Sequence, residues 1–296
     1  MTAALLILPN FVLIVVGVVL ARRFHYGREF WAALEKLVYF VLFPALLFRS
    51  LALASLDLSR AGALVLAASA FTTVGFALSL LARPLFRLDP VLAAGASQCA
   101  YRFNTYIGLA VAGSLFGTAG VALTALMLGV LIPLVNFFAV GVLARHSERG
   151  FLREIARNPL VVSSVAGFAW NLASLPLPAF ADQTLSLLAQ AALPAGLLSV
   201  GAAMRFEPGQ GHAGAHAWWL AVKLAVLPAI ALATARMAGF TTPETTLLVL
   251  CAALPTATSA YILAVRMTGD GRAVATQVSV GTLLSMLTLP AWIALA

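Results

Sequence analysis

Along the chain, long continuous apolar runs alternate with short polar stretches. A run that stays apolar on every face for about 20 residues reads as a helix crossing a bilayer, because 1.5 Å per residue then spans the ~30 Å hydrocarbon core. Ten such runs are present: Leu5–Ala21, Leu34–Leu53, Ala61–Ala82, Pro90–Ala112, Gly117–Ala144, Pro159–Leu175, Gln183–Met204, Ala217–Arg236, Pro243–Arg266 and Ala273–Ala296. The fifth is longer than a bilayer needs, which predicts a tilt. The runs lack the alternation of a membrane β-barrel. The fold class predicted is an all-α membrane protein with ten transmembrane helices. The spans use ~200 of the 296 residues, which leaves no room for a soluble domain.

Composition agrees. Hydrophobic residues make up 62% of the chain and charged residues 9%, against roughly 25% in soluble domains. Too few polar residues exist to cover a soluble globule, so a soluble enzyme is excluded. The net charge of +8 does not read as nucleic-acid binding, because the 18 basic residues form no contiguous patch. Cys99 and Cys251 both fall inside apolar runs, so no disulfide framework is indicated. The first run has its arginines after it and does not read as a cleavable signal. The expected partner is the lipid bilayer itself.

The basic residues set the orientation. With the N-terminus outside, the inner loops carry Arg22, Arg23, Arg28, Lys36, Arg83, Arg87, Arg145, Arg149, Arg153, Arg157, Arg205, Arg266 and Arg272. The outer loops carry only Arg60 and Arg236. Both termini are therefore expected outside the cytoplasmic membrane. The basic stretch at 145–158 reads as a cytoplasmic linker between a first five-helix repeat, 1–144, and a second, 159–296. Leu42–Leu47 in span two resembles Leu193–Leu198 in span seven, and Asn104–Val111 in span four resembles Ser259–Val265 in span nine. An odd number of spans per repeat forces opposite orientations. Such inverted repeats are common in secondary transporters, with the site near the midplane where they meet.

Candidate chemistry concentrates in spans four and nine. Arg102 lies 12 residues into span four, ~18 Å deep and too far for easy snorkelling. An arginine at that depth costs ~2.5–3.5 kcal/mol and is by default a functional candidate. No span carries a central carboxylate to pair with it. On a continuous helix Gln98, Arg102 and Thr105 would share one face, beside Asn104, a poor helix former. Span nine mirrors this with Pro255, Thr256, Thr258 and Ser259 at similar depth from the other side. A mid-span proline removes a hydrogen bond, and nearby hydroxyls either satisfy the freed backbone or face a ligand. Broken helices at both places would aim half-helix N-termini, with partial positive charge, at one point. Beside Arg102 such a point suits an anion, most simply a carboxylate.

Other polar residues weigh less. Lys223 in span eight, ~9 Å from the cytoplasmic end, either snorkels or touches substrate. Arg49, near the outer end of span two, reads as a snorkelling anchor. The hydroxyls Thr276, Ser279, Thr282, Ser285 and Thr288 in span ten read as helix-packing residues. His212 and His216 flank a Gly-rich loop (208–214), which reads as flexible rather than as a metal site. All ten acids fall in loops or near span ends, which speaks against proton coupling through a buried carboxylate. No cofactor is expected, and the coupling ion, H+ or Na+, is left open by the sequence. The four histidines sit in loops and no span holds clustered carboxylates, which speaks against an intramembrane enzyme.

Two motifs, Tyr101-Arg-Phe-Asn-Thr-Tyr-Ile-Gly-Leu-Ala110 and Leu254-Pro-Thr-Ala-Thr-Ser-Ala-Tyr261 with the following Gly269-Asp270, resemble those of the auxin efflux carrier family, in the bacterial branch of malate and malonate permeases. Asn158-Pro159, Lys223-Leu with Pro228, and Pro133 with Asn136 support the likeness. It implies a fold shared with the bile acid:sodium symporters: two inverted five-helix repeats in which broken helices four and nine cross. It also implies a scaffold of spans one, two, six and seven, a moving core of the rest, and often a homodimer. The family's crossover residues fall on Asn104 and Thr105 and on Pro255, Thr256 and Thr258. Span four lacks the proline of the plant carriers at that crossover and has Arg102 beside it, which suits a small dicarboxylate better than auxin. The reading is a secondary transporter of a small organic anion such as malonate or malate, working by alternating access. Arg102, Asn104, Thr105, Gln98, Pro255, Thr256, Thr258, Ser259 and Lys223 form the candidate substrate site. The alternatives are an anion channel or an exporter of auxin-like aromatic monocarboxylates.

Overall fold

The computed structural model describes residues 3–24, 26–54, 58–143, 158–205, 212–268 and 271–296. Residues 145–157 of the predicted linker, most of the Gly-rich loop and the Gly269-Asp270 pair lie outside the described residues, as do His25 and His146. Among the described residues every regular element is helical. The elements are α1 (Ala3–Arg23), α2 (Arg28–Ala52), α3 (Leu58–Leu80), α4 (Ala82–Phe86), α5 (Pro90–Ser97), α6 (Thr105–Leu143), α7 (Pro159–Leu172), α8 (Ala179–Ala203), α9 (Ala213–Met237), α10 (Thr242–Ala253), α11 (Ser259–Thr268) and α12 (Arg272–Leu295).

Helix falls on each of the ten apolar runs, but not as ten separate rods. Seven helical stretches among the described residues are long and apolar enough to cross a membrane. The helices Pro159–Leu172 and Thr242–Ala253 are apolar but shorter. Spans four and nine are each divided in two, and the second half of span four runs into span five as α6, a 39-residue helix. The join is a single kink at Gly117, with φ 58° and ψ −145°. Only glycine takes that conformation without steric cost, so one residue does the work expected of a loop. Large apolar side chains stay outward on many helices, including Phe40, Leu66, Phe180 and Leu287. That is the surface of a multi-pass protein solvated by lipid rather than water.

Prolines explain the irregular turns within long helices. The i→i+5 turns Val38–Leu42 in α2 and Val222–Val226 in α9 directly precede Phe43-Pro44 and Leu227-Pro228. Proline lacks an N–H and crowds the preceding turn, and widening that turn accommodates the ring. In α9 the carbonyl four residues before Pro228 belongs to Leu224. It accepts a 2.8 Å hydrogen bond from Trp292 Nε1 on α12. In hydrocarbon, where water is absent, such a replacement donor is needed.

The chain forms two compact units. The first contains α1, α2, α7, α8 and residues 109–130 of α6. There α1 and α8 cross through glycine: a Cβ at Gly201 would overlap the Ile14 carbonyl, and one at Gly17 the Leu198 carbonyl. Small residues of this kind let membrane helices approach backbone to backbone. Asn171 Nδ2 on α7 donates to the Ala52 and Ala54 carbonyls, at and just beyond the end of α2. The second unit contains most of α3, α4, α5, both ends of α6 and α9 to α12. Within it Trp218 and Trp219 of α9 donate their indole N–H groups to the Leu78 and Ser79 carbonyls of α3.

Candidate functional site

The candidate site lies wholly within the second unit and begins at the break in span four. Asp89 caps α5, its Oδ1 accepting from the Val91 and Leu92 amides, and Pro90 occupies the first helical position. After Ser97 the helix tightens into one 3₁₀ turn, Gln98–Ala100. The backbone then leaves helix at Tyr101, with φ −130°. A second helix, α6, starts at Thr105, and Asn104 is its cap. Asn104 Oδ1 accepts from the amides of Tyr106 at 3.1 Å and Ile107 at 3.3 Å. An asparagine satisfies orphan amides better outside a helix than within one. That is why the apolar run breaks here.

The break in span nine is built in the same way. Glu244 Oε2 accepts from both the amide and the hydroxyl of Thr241, which fixes the start of α10. The helix stops at Ala253, and Leu254 is extended, with φ −58° and ψ 139°. A residue before proline is pushed to that conformation by the ring, so Pro255 sets the stop. Residues 254–258 are non-helical, and α11 begins at Ser259.

These two breaks meet. The Asn104 amide donates to the Pro255 carbonyl at 2.8 Å. The Thr256 hydroxyl donates to the Cys99 carbonyl at 2.6 Å. Arg102 Nη2 donates to Ser259 Oγ at 3.1 Å, and Nη1 lies 3.5 Å from Gln98 Oε1. Gln98 is held in turn by its Nε2, which donates to the Gly95 carbonyl at 2.9 Å. The approach is close enough to need a glycine: a Cβ at Gly108 would lie 2.8 Å from Leu254 Cδ1. Two helices end at this crossing and two begin. The starting ends, α6 and α11, carry partial positive charge, and the stopping ends carry partial negative charge. Arg102 adds a full positive charge at the start of α11.

Gln98, Arg102, Asn104 and Thr256 are buried, with 7% exposure or less. Pro255 is also buried, Thr105 and Thr258 are half-buried, and Ser259 is exposed. The crossing is thus a dry knot with one more open side at the start of α11. It brings together Gln98, Arg102 and Ser259 as one hydrogen-bonded chain. Asn104 with Pro255 and Thr256 with Cys99 make two backbone clamps. The continuous face expected for Gln98, Arg102 and Thr105 does not exist, because the helix is interrupted between the second and third of them.

Two further basic residues have partners that the sequence alone leaves open. Lys223 does not snorkel: it is 2% exposed, and its Nζ donates to the Ala252 carbonyl at the end of α10 at 2.9 Å. The widened turn before Pro228 contains it. Arg49 forms a bidentate pair with Asp182 in the first unit, at 2.6 and 3.3 Å. The span-ten hydroxyls bond locally as expected of packing residues. Ser279 exchanges hydrogen bonds with the Arg205 backbone, while Thr282 and Ser285 bond within their own helix. Gln277 ties to His216. Among the described residues no group of His, Cys, Asp or Glu could hold a metal.

Sequence reasoning passed over Tyr101, Cys99 and Ala252. Tyr101 is fully buried against Phe76 and Phe138 and wedges the first break in place. The other two act through backbone carbonyls, which leave no trace in residue type. A tyrosine beside a mid-span arginine was the available signal for the first.

The chain is similar in sequence to transporters over most of their length. An "Uncharacterized transporter" of Methanothermobacter thermautotrophicus is 28% identical over 295 residues, covering 97% of this chain and 96% of its own. A "Putative malonate transporter" of Rhizobium meliloti is 26% identical over 282 residues, covering 87% of this chain and 84% of its own. Residues 141–293, which include α7 to α11 and nearly all of α12, match the family described as membrane transport protein. The protein therefore belongs to the membrane transport protein family, that of the auxin efflux carriers and their bacterial relatives.

Proposed function

We propose that this protein is a secondary transporter that carries a small organic anion, a mono- or dicarboxylate such as malonate or malate, across the cytoplasmic membrane by alternating access. The observation that carries the reading is the meeting of two broken helices with Arg102 at the start of α11, its Nη2 3.1 Å from Ser259 Oγ. A carboxylate accepted there would meet a guanidinium fork and the positive end of a half-helix. Gln98 orients the arginine, Thr258 and Ser259 offer hydroxyls at the more open side, and Asn104, Thr105, Pro255 and Thr256 keep the two breaks in register. The malonate named for one relative agrees with this chemistry. On this reading the ten spans form two inverted five-helix repeats with both termini outside, and the protein works as a homodimer. Uncoupled efflux of a monoanion would gain ~2.3 kcal/mol per 100 mV of membrane potential, so direction follows from the gradients.

The test is counterflow in proteoliposomes loaded with unlabelled malonate, malate or succinate, following entry of the labelled compound. Transient accumulation that disappears in Arg102→Ala supports the reading. Accumulation that survives the substitution moves the site away from Arg102. No accumulation with any of these acids removes the dicarboxylate assignment.

A further inference from the structure

The first unit holds a cavity of about 240 Å³ that shares no residue with the crossing. The end of α2 lines it with Arg49, Ser50 and Leu53, and α6 lines it with Thr118, Ala119 and Ala122, just after the Gly117 kink. Three of its features suit an anion. Arg49 is placed rather than loose, because Asp182 holds its Nε and Nη2. Of the five N–H donors of a guanidinium, those on Nη1 remain for a ligand. Ser50 is 6% exposed, yet its hydroxyl makes no hydrogen bond to a described residue. Other serines in these helices bond the carbonyl four residues back, as Ser69, Ser114 and Ser164 do. A buried hydroxyl without a partner is costly, and this one lines a space where a ligand would satisfy it. The third feature is the kink itself. The helix that follows Gly117 runs on to Leu143, and its first turn carries orphan amides and the positive end of the dipole. Thr118 and Ala119 in that turn face the cavity. The rest of the lining is apolar. Pockets for drug-sized ligands run ~300–1,000 Å³, so this space suits a smaller molecule.

We propose that this cavity is a second anion site, for a small aliphatic carboxylate. One carboxylate of the ligand bonds Arg49 Nη1 and the Ser50 hydroxyl, and the helix start after Gly117 faces the same charge. Asp182 sets the affinity, since it orients Arg49 and offsets part of its charge. The ligand class is that of the transporter reading above, on which the proposal rests, but the site itself does not use Arg102.

Equilibrium binding of labelled malonate to the full chain in detergent tests this, in a protein carrying Arg102→Ala so that the crossing does not contribute. Saturable binding at one site per chain should remain. Adding Arg49→Gln should weaken it about tenfold, the loss of one charge-assisted hydrogen bond. Adding Asp182→Asn should tighten it several-fold, because Arg49 is then no longer neutralised, and Ser50→Ala should weaken it. Breaking one ion pair from either side disturbs the fold alike, so opposite signs for Arg49 and Asp182 report on the ligand. No saturable binding to Arg102→Ala, binding indifferent to Arg49→Gln, or binding weakened by Asp182→Asn overturns the proposal. If Arg49→Gln does not yield monodisperse protein, the Asp182→Asn and Ser50→Ala variants decide it. Counterflow by the parent keeps the two readings apart. A parent that exchanges malonate while Arg102→Ala binds none keeps the transporter and removes this site. A parent without counterflow, whose Arg102→Ala form still binds malonate through Arg49, keeps the site and refutes the transporter reading.

Discussion

The Thr256 hydroxyl is the sharpest place to test how the two breaks are held together. It is 2% exposed and donates to the Cys99 carbonyl across 157 residues of chain, at 2.6 Å. Thr256→Val keeps the branched shape and removes only the donor, so the substitution leaves a buried carbonyl without that partner. Soluble-protein mutagenesis assigns about 1–3 kcal/mol to such a loss. Hydrogen bonds between membrane helices average less, about 0.6 kcal/mol with a maximum near 1.7, because the unfolded chain in lipid also finds partners. The enclosure of this contact places it toward the upper part of that range, about 1–1.7 kcal/mol, or a roughly 5- to 18-fold shift in the folding equilibrium. Thr256→Ser keeps the donor and loses one methyl group, so it should cost less than the valine change. The assay is reversible unfolding in mixed micelles, with the three proteins measured side by side. A valine variant as stable as the parent would refute the clamp, as would a serine variant destabilised as much as the valine one. If the clamp also positions Arg102, counterflow should fall in the valine variant and recover in the serine variant.

Other predictions follow from single contacts. Gly201→Val should prevent the close approach of α1 and α8, because even a Cβ at this position overlaps the Ile14 carbonyl. The loss should exceed the ~1–3 kcal/mol typical of overpacked cores, read as absence of monodisperse protein after extraction. Trp292→Phe should strand the Leu224 carbonyl freed by Pro228 and destabilise by ~1–3 kcal/mol. A second change, Pro228→Ala, restores the missing amide and should recover part of that loss in the same unfolding assay. Arg49 and Asp182 form a partly exposed pair, at 21% and 36% side-chain exposure. Their coupling in a double-mutant cycle should be only ~0–1 kcal/mol, and Asp182→Asn should leave unfolding nearly unchanged.

The apolar runs by themselves determined that this protein is an all-helical membrane protein and approximately where its helices lie. Twenty continuous apolar residues in lipid have few other ways to satisfy their backbone. The same rule made the exceptions visible: an asparagine and a proline in mid-span mark where the helix is interrupted, and Arg102 marks where charge is tolerated at a cost. The Gly117 kink was harder to see, because a glycine in an apolar run reads equally as packing or as a turn. The partner of Arg49 and the burial of Lys223 were not legible at all. The first pairing joins residues 133 apart in the chain, and the second depends on a carbonyl, which every residue possesses. Residue type encodes local backbone preference and the energetic oddity of a buried charge. Which carbonyl lies within 3 Å of that charge is decided by how the helices pack. In this molecule the sequence therefore marks both breaks, and the tertiary structure alone decides that they meet and which donors hold them together.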